Sequence, residues 1–180
     1  MTIPAEAFIL AGGLSSRFGS DKARFLIDGK PMIIHVADLL GAQFDRVTVI
    51  AKSAAEYDDL GLTTIADLYP EQAPICGLLT ALEQASNQWL FLAPCDTPSL
   101  TAGTLRQLWD GRGARGAVPE VGGRLHPLIA FYHVDALPDF KGAYERGDYS
   151  LQAVVRSGPY AAIPFADGPA LQNLNRPPGS

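Results

Sequence analysis

The sequence predicts an α/β fold with a mainly parallel central sheet covered by helices on both faces, and three observations carry that expectation. Apolar runs such as Ala7-Phe8-Ile9-Leu10 and Gln88-Trp89-Leu90-Phe91-Leu92-Ala93 lack polar alternation. That is how strands buried on both faces read. Between them, apolar residues recur at helical spacing, most clearly at Ile75, Leu78, Leu79 and Leu82. Up to Trp109 strand-like and helix-like stretches alternate, which is the βαβ pattern of a parallel sheet.

Taken in order, a strand at 7–10 runs into a glycine loop. Pro31 is tolerated at a first helical position, and Ile33, Val36, Ala37 and Leu40 continue a helix that Gly41 stops. Residues 46–51 are rich in β-branched side chains and predict a second strand. A short helix over 54–60, ending at Gly61, and a weak strand over 63–66, ending at Asp67, follow. A proline-bearing loop leads into the Ile75 helix, and the strand at 88–93 ends at Pro94-Cys95-Asp96-Thr97-Pro98. Leu105, Leu108 and Trp109 mark another helix. Beyond the exposed connection at 111–116, strands at 117–118 and 128–132 flank a Gly122-Gly123 turn and predict a local antiparallel element. Helices at 137–145 and 151–156 and a strand at 160–165 complete the pattern. The tail from Asn173 is proline-rich and too short for a further element. With no repeat or linker, residues 1–180 are expected to form a single domain.

Composition narrows the function classes. Of the 180 residues, 47% are apolar and 18% charged, which describes a soluble globular chain. A net charge of −5 argues against a general nucleic-acid binder, which needs a basic face. It leaves room for a local anion site, and Arg17, Lys22, Arg24 and Lys30 cluster in sequence. No apolar run reaches membrane-spanning length, and residues 1–6 lack a signal-peptide pattern. Cys76 and Cys95, both in apolar surroundings, are expected to be reduced, which suits the cytoplasm.

Two segments carry chemistry. Leu10-Ala11-Gly12-Gly13-Leu14-Ser15-Ser16-Arg17-Phe18-Gly19-Ser20-Asp21-Lys22 follows the first strand. Glycines let backbone N–H groups approach a ligand closely, and such groups suit phosphate oxygens, with Arg17 and Lys22 to neutralise charge. The loop matches neither a Walker ending nor a G-x-G-x-x-G turn. Asp96 lies just past the strongest apolar strand. In open α/β sheets, ligands bind beyond the carboxyl ends of strands, where both segments are expected to lie. A carboxylate there is either a turn former or, with substrate phosphates completing the shell, a magnesium ligand. A lone His126 before a strand is expected to be structural or surface-exposed rather than catalytic, and His35 and His133 structural or solvated. Cys95 has no base partner in sequence and is expected to pack rather than attack.

The glycine segment resembles the L-A-G-G-x-S-x-R-x-G-x-D-K signature of the nucleotidyltransferases that build molybdenum-cofactor dinucleotides. Pro94-Cys95-Asp96-Thr97-Pro98 resembles the guanylyl-transferring branch, the molybdopterin-guanine dinucleotide biosynthesis protein A family. The likeness continues through His126-Pro127-Leu128-Ile129-Ala130 and Asn173-Leu174-Asn175, so it covers essentially the whole chain.

The resemblance implies a three-layer Rossmann-like nucleotidyltransferase fold with a small antiparallel element. It also implies GTP and molybdopterin as substrates, with Mg²⁺ as cofactor. Carried over by position, Leu10, Ala11, Gly12 and Gly13 contact the nucleotide through backbone groups. Arg17 and Lys22 hold the triphosphate, and Asp96 binds Mg²⁺. Asn173 or Asn175 reaches the same centre. Asp67 matches a nucleotide-contacting aspartate, yet reads equally as a strand-end turn residue. Apart from the resemblance, Arg124 and the 111–123 region are candidates to face the second substrate. Transient contact with cofactor-delivery proteins is a further implication; nucleic acid and membrane are not expected partners. Ile50 stands where the family carries an asparagine, so one nucleotide contact is missing or replaced. The alternatives are cytidylyl transfer, nucleotide transfer to a sugar phosphate, and a non-catalytic nucleotide-binding module.

Overall fold

The computed structural model describes residues 2–12 and 21–166. In chain order they form β1 (Glu6–Leu10), β2 (Leu26–Ile27), β3 (Lys30–Pro31), α1 (Met32–Gly41), β4 (Val47–Ala51), β5 (Thr64–Ala66) and α2 (Pro74–Gln84). There follow β6 (Trp89–Pro94), α3 (Ala102–Asp110), β7 (Gly116–Val121), β8 (Arg124–Leu125), β9 (Ala130–His133), α4 (Leu137–Glu145), α5 (Leu151–Ser157) and β10 (Ala161–Pro164).

β1 is the centre of the sheet, in parallel register with β4 on one side and β6 on the other. The full strand order is β10-β7-β9-β6-β1-β4-β5, with β8 paired to β7. Alternation along each strand sends side chains to two cores. Ala7, Ile9, Phe91 and Ala93 pack with Ile33, Val36 and Leu40 of α1 and with Leu105 and Leu108 of α3. Phe8, Leu90 and Leu92 pack with Ile75, Leu78 and Leu79 of α2, Phe140 of α4 and Val155 of α5. Two helices on one face and three on the other make the three layers that the sequence predicts.

The antiparallel part is larger than a local hairpin. β9 is inserted into the main sheet between β6 and β7 and runs antiparallel to both. The Gly122-Gly123 turn joins β7 to β8 rather than to β9, and both glycines have positive φ. A separate small hairpin, β2–β3, turns at Asp28 and Gly29, both with positive φ, and was not visible as alternation in so short a stretch. The helix expected over 54–60 is a single 3₁₀ turn, Asp58–Leu60, closed by Gly61 in the left-handed conformation. The tail from Asn173 lies outside the described residues.

One buried acid ties the start of β1 to the start of β6. Glu6 is 1% exposed, and its Oε1 accepts from the backbone N–H of Ser86 at 2.5 Å and of Asn87 at 2.7 Å. A buried carboxylate persists only when its charge is met, and here two N–H groups of the α2–β6 turn satisfy Oε1 while Arg46 Nη1 stands 3.9 Å from Oε2. Glu6→Ala should cost on the order of 2–3 kcal/mol, the usual loss for hydrogen bonds to a charged group, read as a lowered urea midpoint. An unchanged midpoint would show that the clamp contributes nothing to strand register.

Candidate active site

The two chemistry-bearing segments leave the sheet side by side. Leu10 pairs with Pro94 in the β1–β6 register, and one residue further the Cys95 N–H donates to the Leu10 carbonyl at 3.0 Å. Across the other edge, the Ala11 N–H donates to the Ile50 carbonyl at 2.9 Å. The Leu10 carbonyl and the Ala11 N–H are therefore each engaged within the sheet. Gly12 is the first exposed position of the loop, and a Cβ built there would meet nothing within 4 Å.

Asp96 sits in the turn that ends β6. Thr97 is fully buried, and its hydroxyl donates to the Pro94 carbonyl at 2.8 Å, which closes the turn and aims the acid outward. Lys22 reaches it from the far end of the glycine loop, with Nζ 2.6 Å from Asp96 Oδ2 and the two side chains 16% and 13% exposed. Asp96 Oδ1 is buried and has no hydrogen-bond partner among the described residues. An anionic oxygen left unsatisfied in a sheltered place is costly unless a cation or donor arrives to meet it. Mg²⁺ requires one or two carboxylates and completes its shell with water and phosphate oxygens, so this oxygen fits it. No cluster of three or more His, Cys, Asp or Glu able to hold a metal occurs among the described residues.

Lys22 lies in a 3₁₀ turn, Lys22–Arg24, whose anchoring the sequence did not reveal. Asp21 caps it, its Oδ1 accepting from the Ala23 N–H at 3.0 Å. The other Asp21 oxygen accepts from the hydroxyl of Tyr57 at 3.0 Å. Arg24 forks onto Asp59 at 2.7 and 2.8 Å and donates to the Glu56 carbonyl at 2.7 Å. Its guanidinium stands 5.2 Å from the centre of the Tyr57 ring. Tyr57 sits within Ser53-Ala54-Ala55-Glu56-Tyr57-Asp58-Asp59, where nothing in residue type or spacing pointed to the site.

Asp67 makes the turn expected of a strand-end aspartate and also ties it to α2. Its Oδ1 accepts from the Tyr69 N–H at 3.2 Å and from the Thr80 hydroxyl at 2.6 Å. β5 lies three strand positions from β6, so at about 4.8 Å per strand Asp67 and Asp96 are separated by roughly 14 Å. Any ligand touching both must extend across the strand ends. Ile50 is 3% exposed and packs into the α2-side core, so the position that carries asparagine in the family is occupied here by core packing. Gly13, Arg17, Asn173 and Asn175 lie outside the described residues.

A cavity of about 410 Å³ opens at the same end of the sheet, lined by Pro74, Arg124, His126, Leu128, Tyr149 and Ser150 among others. Because β9 runs antiparallel to β6 and Ala130 pairs with Leu92, the 126–129 turn abuts the carboxyl end of β6. Arg124 therefore lines a cavity beside the strand end that carries Asp96. Burial, and next the Arg124 charge, hold the His126 imidazole below its usual range, so it is a neutral group near pH 7. His35 hydrogen-bonds the Ile27 carbonyl at 2.9 Å, and His133 Nδ1 accepts from the Asp135 N–H at 3.2 Å; both serve the fold.

Comparison with known proteins places the geometry in context. The model of the MobA-like NTP transferase domain matches residues 7–162. A protein of Serratia proteamaculans called molybdenum cofactor guanylyltransferase is 33% identical over 172 residues, covering 93% of this chain and 87% of its own. A protein of the same name from Cereibacter sphaeroides is 33% identical over 174 residues, covering 94% and 90%. Among solved structures, the Aquifex aeolicus protein Aq1419 superposes with a TM-score of 0.82 at 27% identity, covering 96% of this chain and 94% of its own. Molybdopterin-guanine dinucleotide biosynthesis protein A of Archaeoglobus fulgidus has a TM-score of 0.71 at 19% identity, covering 89% and 83%, and shares the fold.

Burial, with the nearby Asp96 and Asp21 charges, pushes the Cys95 thiol up to about 12. At pH 8 its thiolate fraction is then roughly a thousandfold below that of an ordinary thiol. Iodoacetamide should label Cys95 in the folded protein that much more slowly than in urea, as followed by mass spectrometry. Rapid native labelling would show instead an activated thiol at the site.

Proposed function

The chain belongs to the MobA-like NTP transferase family, and from that premise we propose that it transfers GMP from GTP to the terminal phosphate of molybdopterin, releasing pyrophosphate. The observation that carries this reading is the Lys22–Asp96 pair, with the second Asp96 oxygen unspent, beside the open glycine exit of β1. The names of the relatives and the Pro94-Cys95-Asp96-Thr97-Pro98 segment supply the guanylyl donor and the molybdopterin acceptor.

In this reading a phosphate oxygen of the acceptor attacks the α-phosphorus of GTP in line. The bond from that phosphorus to the bridging oxygen breaks, and the electron pair leaves with pyrophosphate. An ionised phosphate is already a nucleophile, so no protein base is required, which agrees with the absence of a catalytic task for His126. Lys22 exchanges Asp96 for the triphosphate and offsets its charge, and the sequence match gives Arg17 the same task. Asp96 Oδ1 would hold Mg²⁺, which when bound supplies charge neutralisation and orientation of the pyrophosphate. Gly12 lets the phosphates approach the loop backbone closely. The acceptor occupies the cavity beside β6, with Arg124 toward its anionic part. No helix among the described residues is long and apolar enough to cross a membrane, and the two thiols are unpaired. Free thiols suit a reducing compartment, which supports a cytoplasmic site of action.

Steady-state kinetics with GTP, Mg²⁺ and the acceptor test this directly. Asp96→Ala should abolish turnover with the melting temperature nearly unchanged, and Arg124→Ala should raise KM for the acceptor without altering KM for GTP. GTP should raise the melting temperature more than CTP or ATP. Near-normal turnover in Asp96→Ala would remove the metal assignment; stabilisation by CTP alone would move the protein to cytidylyl transfer.

A further inference from the structure

Lys22 belongs to a three-residue 3₁₀ turn, and such a turn has few internal hydrogen bonds, so contacts from outside the turn help to fix it. Asp21, just before Lys22, and Arg24, two residues after it, are tied to one segment, 56–59, that follows β4, the strand on the opposite side of β1 from β6. Asp21 is the pivot. Its Oδ1 is engaged by the cap to Ala23, and its Oδ2 is engaged by Tyr57, with the Arg24 Nε 3.5 Å away. Tyr57 is 1% exposed and packed in the α1-side core beside Val49 and Ala51 of β4, so its hydroxyl is delivered by a rigid part of the fold.

The charge pattern gives this arrangement a consequence. Asp21 is adjacent in sequence to Lys22 and is a competing carboxylate for its ammonium. It also adds negative charge where a triphosphate is to bind. With one oxygen on Ala23 and the other on Tyr57, Asp21 is kept occupied, and Lys22 Nζ stands on Asp96. Burial first, and then the Asp21 charge, raise the Tyr57 phenol far above its usual range, so it remains a donor at every working pH.

We propose that Tyr57 is a positioning residue for Lys22. Acting through Asp21, its hydroxyl fixes the place at which the Lys22 ammonium meets Asp96 in the free protein and the triphosphate in the complex. This rests on the nucleotidyl-transfer reading of the site, and it adds a residue that touches neither substrate. Misplacement of a charge-neutralising group by about an ångström costs up to roughly a hundredfold in rate, so the hydroxyl has a measurable role.

The test is Tyr57→Phe, alone and combined with Lys22→Ala. The single variant keeps the ring in the core and should melt within a few degrees of the wild type. It should lose roughly ten- to a hundredfold in kcat/KM for GTP, with KM for the acceptor unchanged. In the Lys22→Ala background the same substitution should cause no further loss, because the group that it positions is gone. Affinity for Mg²⁺-GTP, measured by calorimetry on the same four proteins, should follow the same pattern. A Tyr57→Phe enzyme with wild-type kinetics for GTP, or one that loses the same factor with and without Lys22, overturns the proposal. If the wild type binds a nucleotide but transfers nothing to molybdopterin, the functional reading fails. The binding cycle, run with whichever nucleotide binds, still decides for or against Tyr57.

Discussion

Every feature of the site depends on β1 and β6 ending together. The Cys95 N–H to Leu10 carbonyl bond at 3.0 Å closes a parallel ladder that begins at Glu6 and Leu90 and runs to Leu10 and Pro94. A one-residue slip in that register would turn Phe8 and Ile9 to the wrong cores and carry the glycine loop away from Asp96. Packing on both faces makes such a slip prohibitive, since these strand residues are essentially fully buried. The register is thus held by apolar burial along its length and by Glu6 at its start, and the charged site at its end inherits the precision.

The carboxyl end of the sheet concentrates charge that the fold has to manage. Asp21, Lys22, Arg24, Asp59 and Asp96 lie close to one another, and each has a defined partner. Exposed pairs such as Arg24–Asp59 contribute little to stability, because water screens them and the side chains lose freedom. Their value is geometric. They divide the carboxylates among separate cations and donors, so that Lys22 and Asp96 meet at 2.6 Å while the second Asp96 oxygen stays unspent. Among the described residues that oxygen has no partner, and an incoming donor or cation would find it available.

Much of this was legible in the sequence, for identifiable reasons. Buried parallel strands announce themselves as unbroken apolar runs, so β1 and β6 were readable from Ala7-Phe8-Ile9-Leu10 and Trp89-Leu90-Phe91-Leu92-Ala93. The strand-end rule then brings the glycine segment and Asp96 to one end of the sheet, while the Lys22–Asp96 contact itself is visible only in the structure. What escaped reading is what tertiary contact decides. β9 joins the sheet out of chain order, which periodicity does not encode. The 54–60 segment has helix-forming residues, but only Tyr57 and Leu60 pack against the core, too few for a helical stripe, and a single 3₁₀ turn forms there. Tyr57 lies within it, and its partner is 36 residues away in sequence. Asp67 had two readings because a strand-end aspartate caps its own turn whether or not a ligand is near, and the Thr80 hydroxyl is what ties it to α2.

The central claim is that the Lys22–Asp96 pair is the resting form of a metal-assisted nucleotidyl-transfer site. A crystal structure with Mg²⁺ and a GTP analogue whose α–β bridge resists cleavage tests it most directly. The result expected is that Asp96 Oδ1 would hold the cation, which would neutralise the triphosphate, with Lys22 Nζ moved from Asp96 onto the phosphates. A nucleotide seated away from the β1 and β6 strand ends, or an Asp96 still paired with Lys22 and bearing no cation, would contradict it.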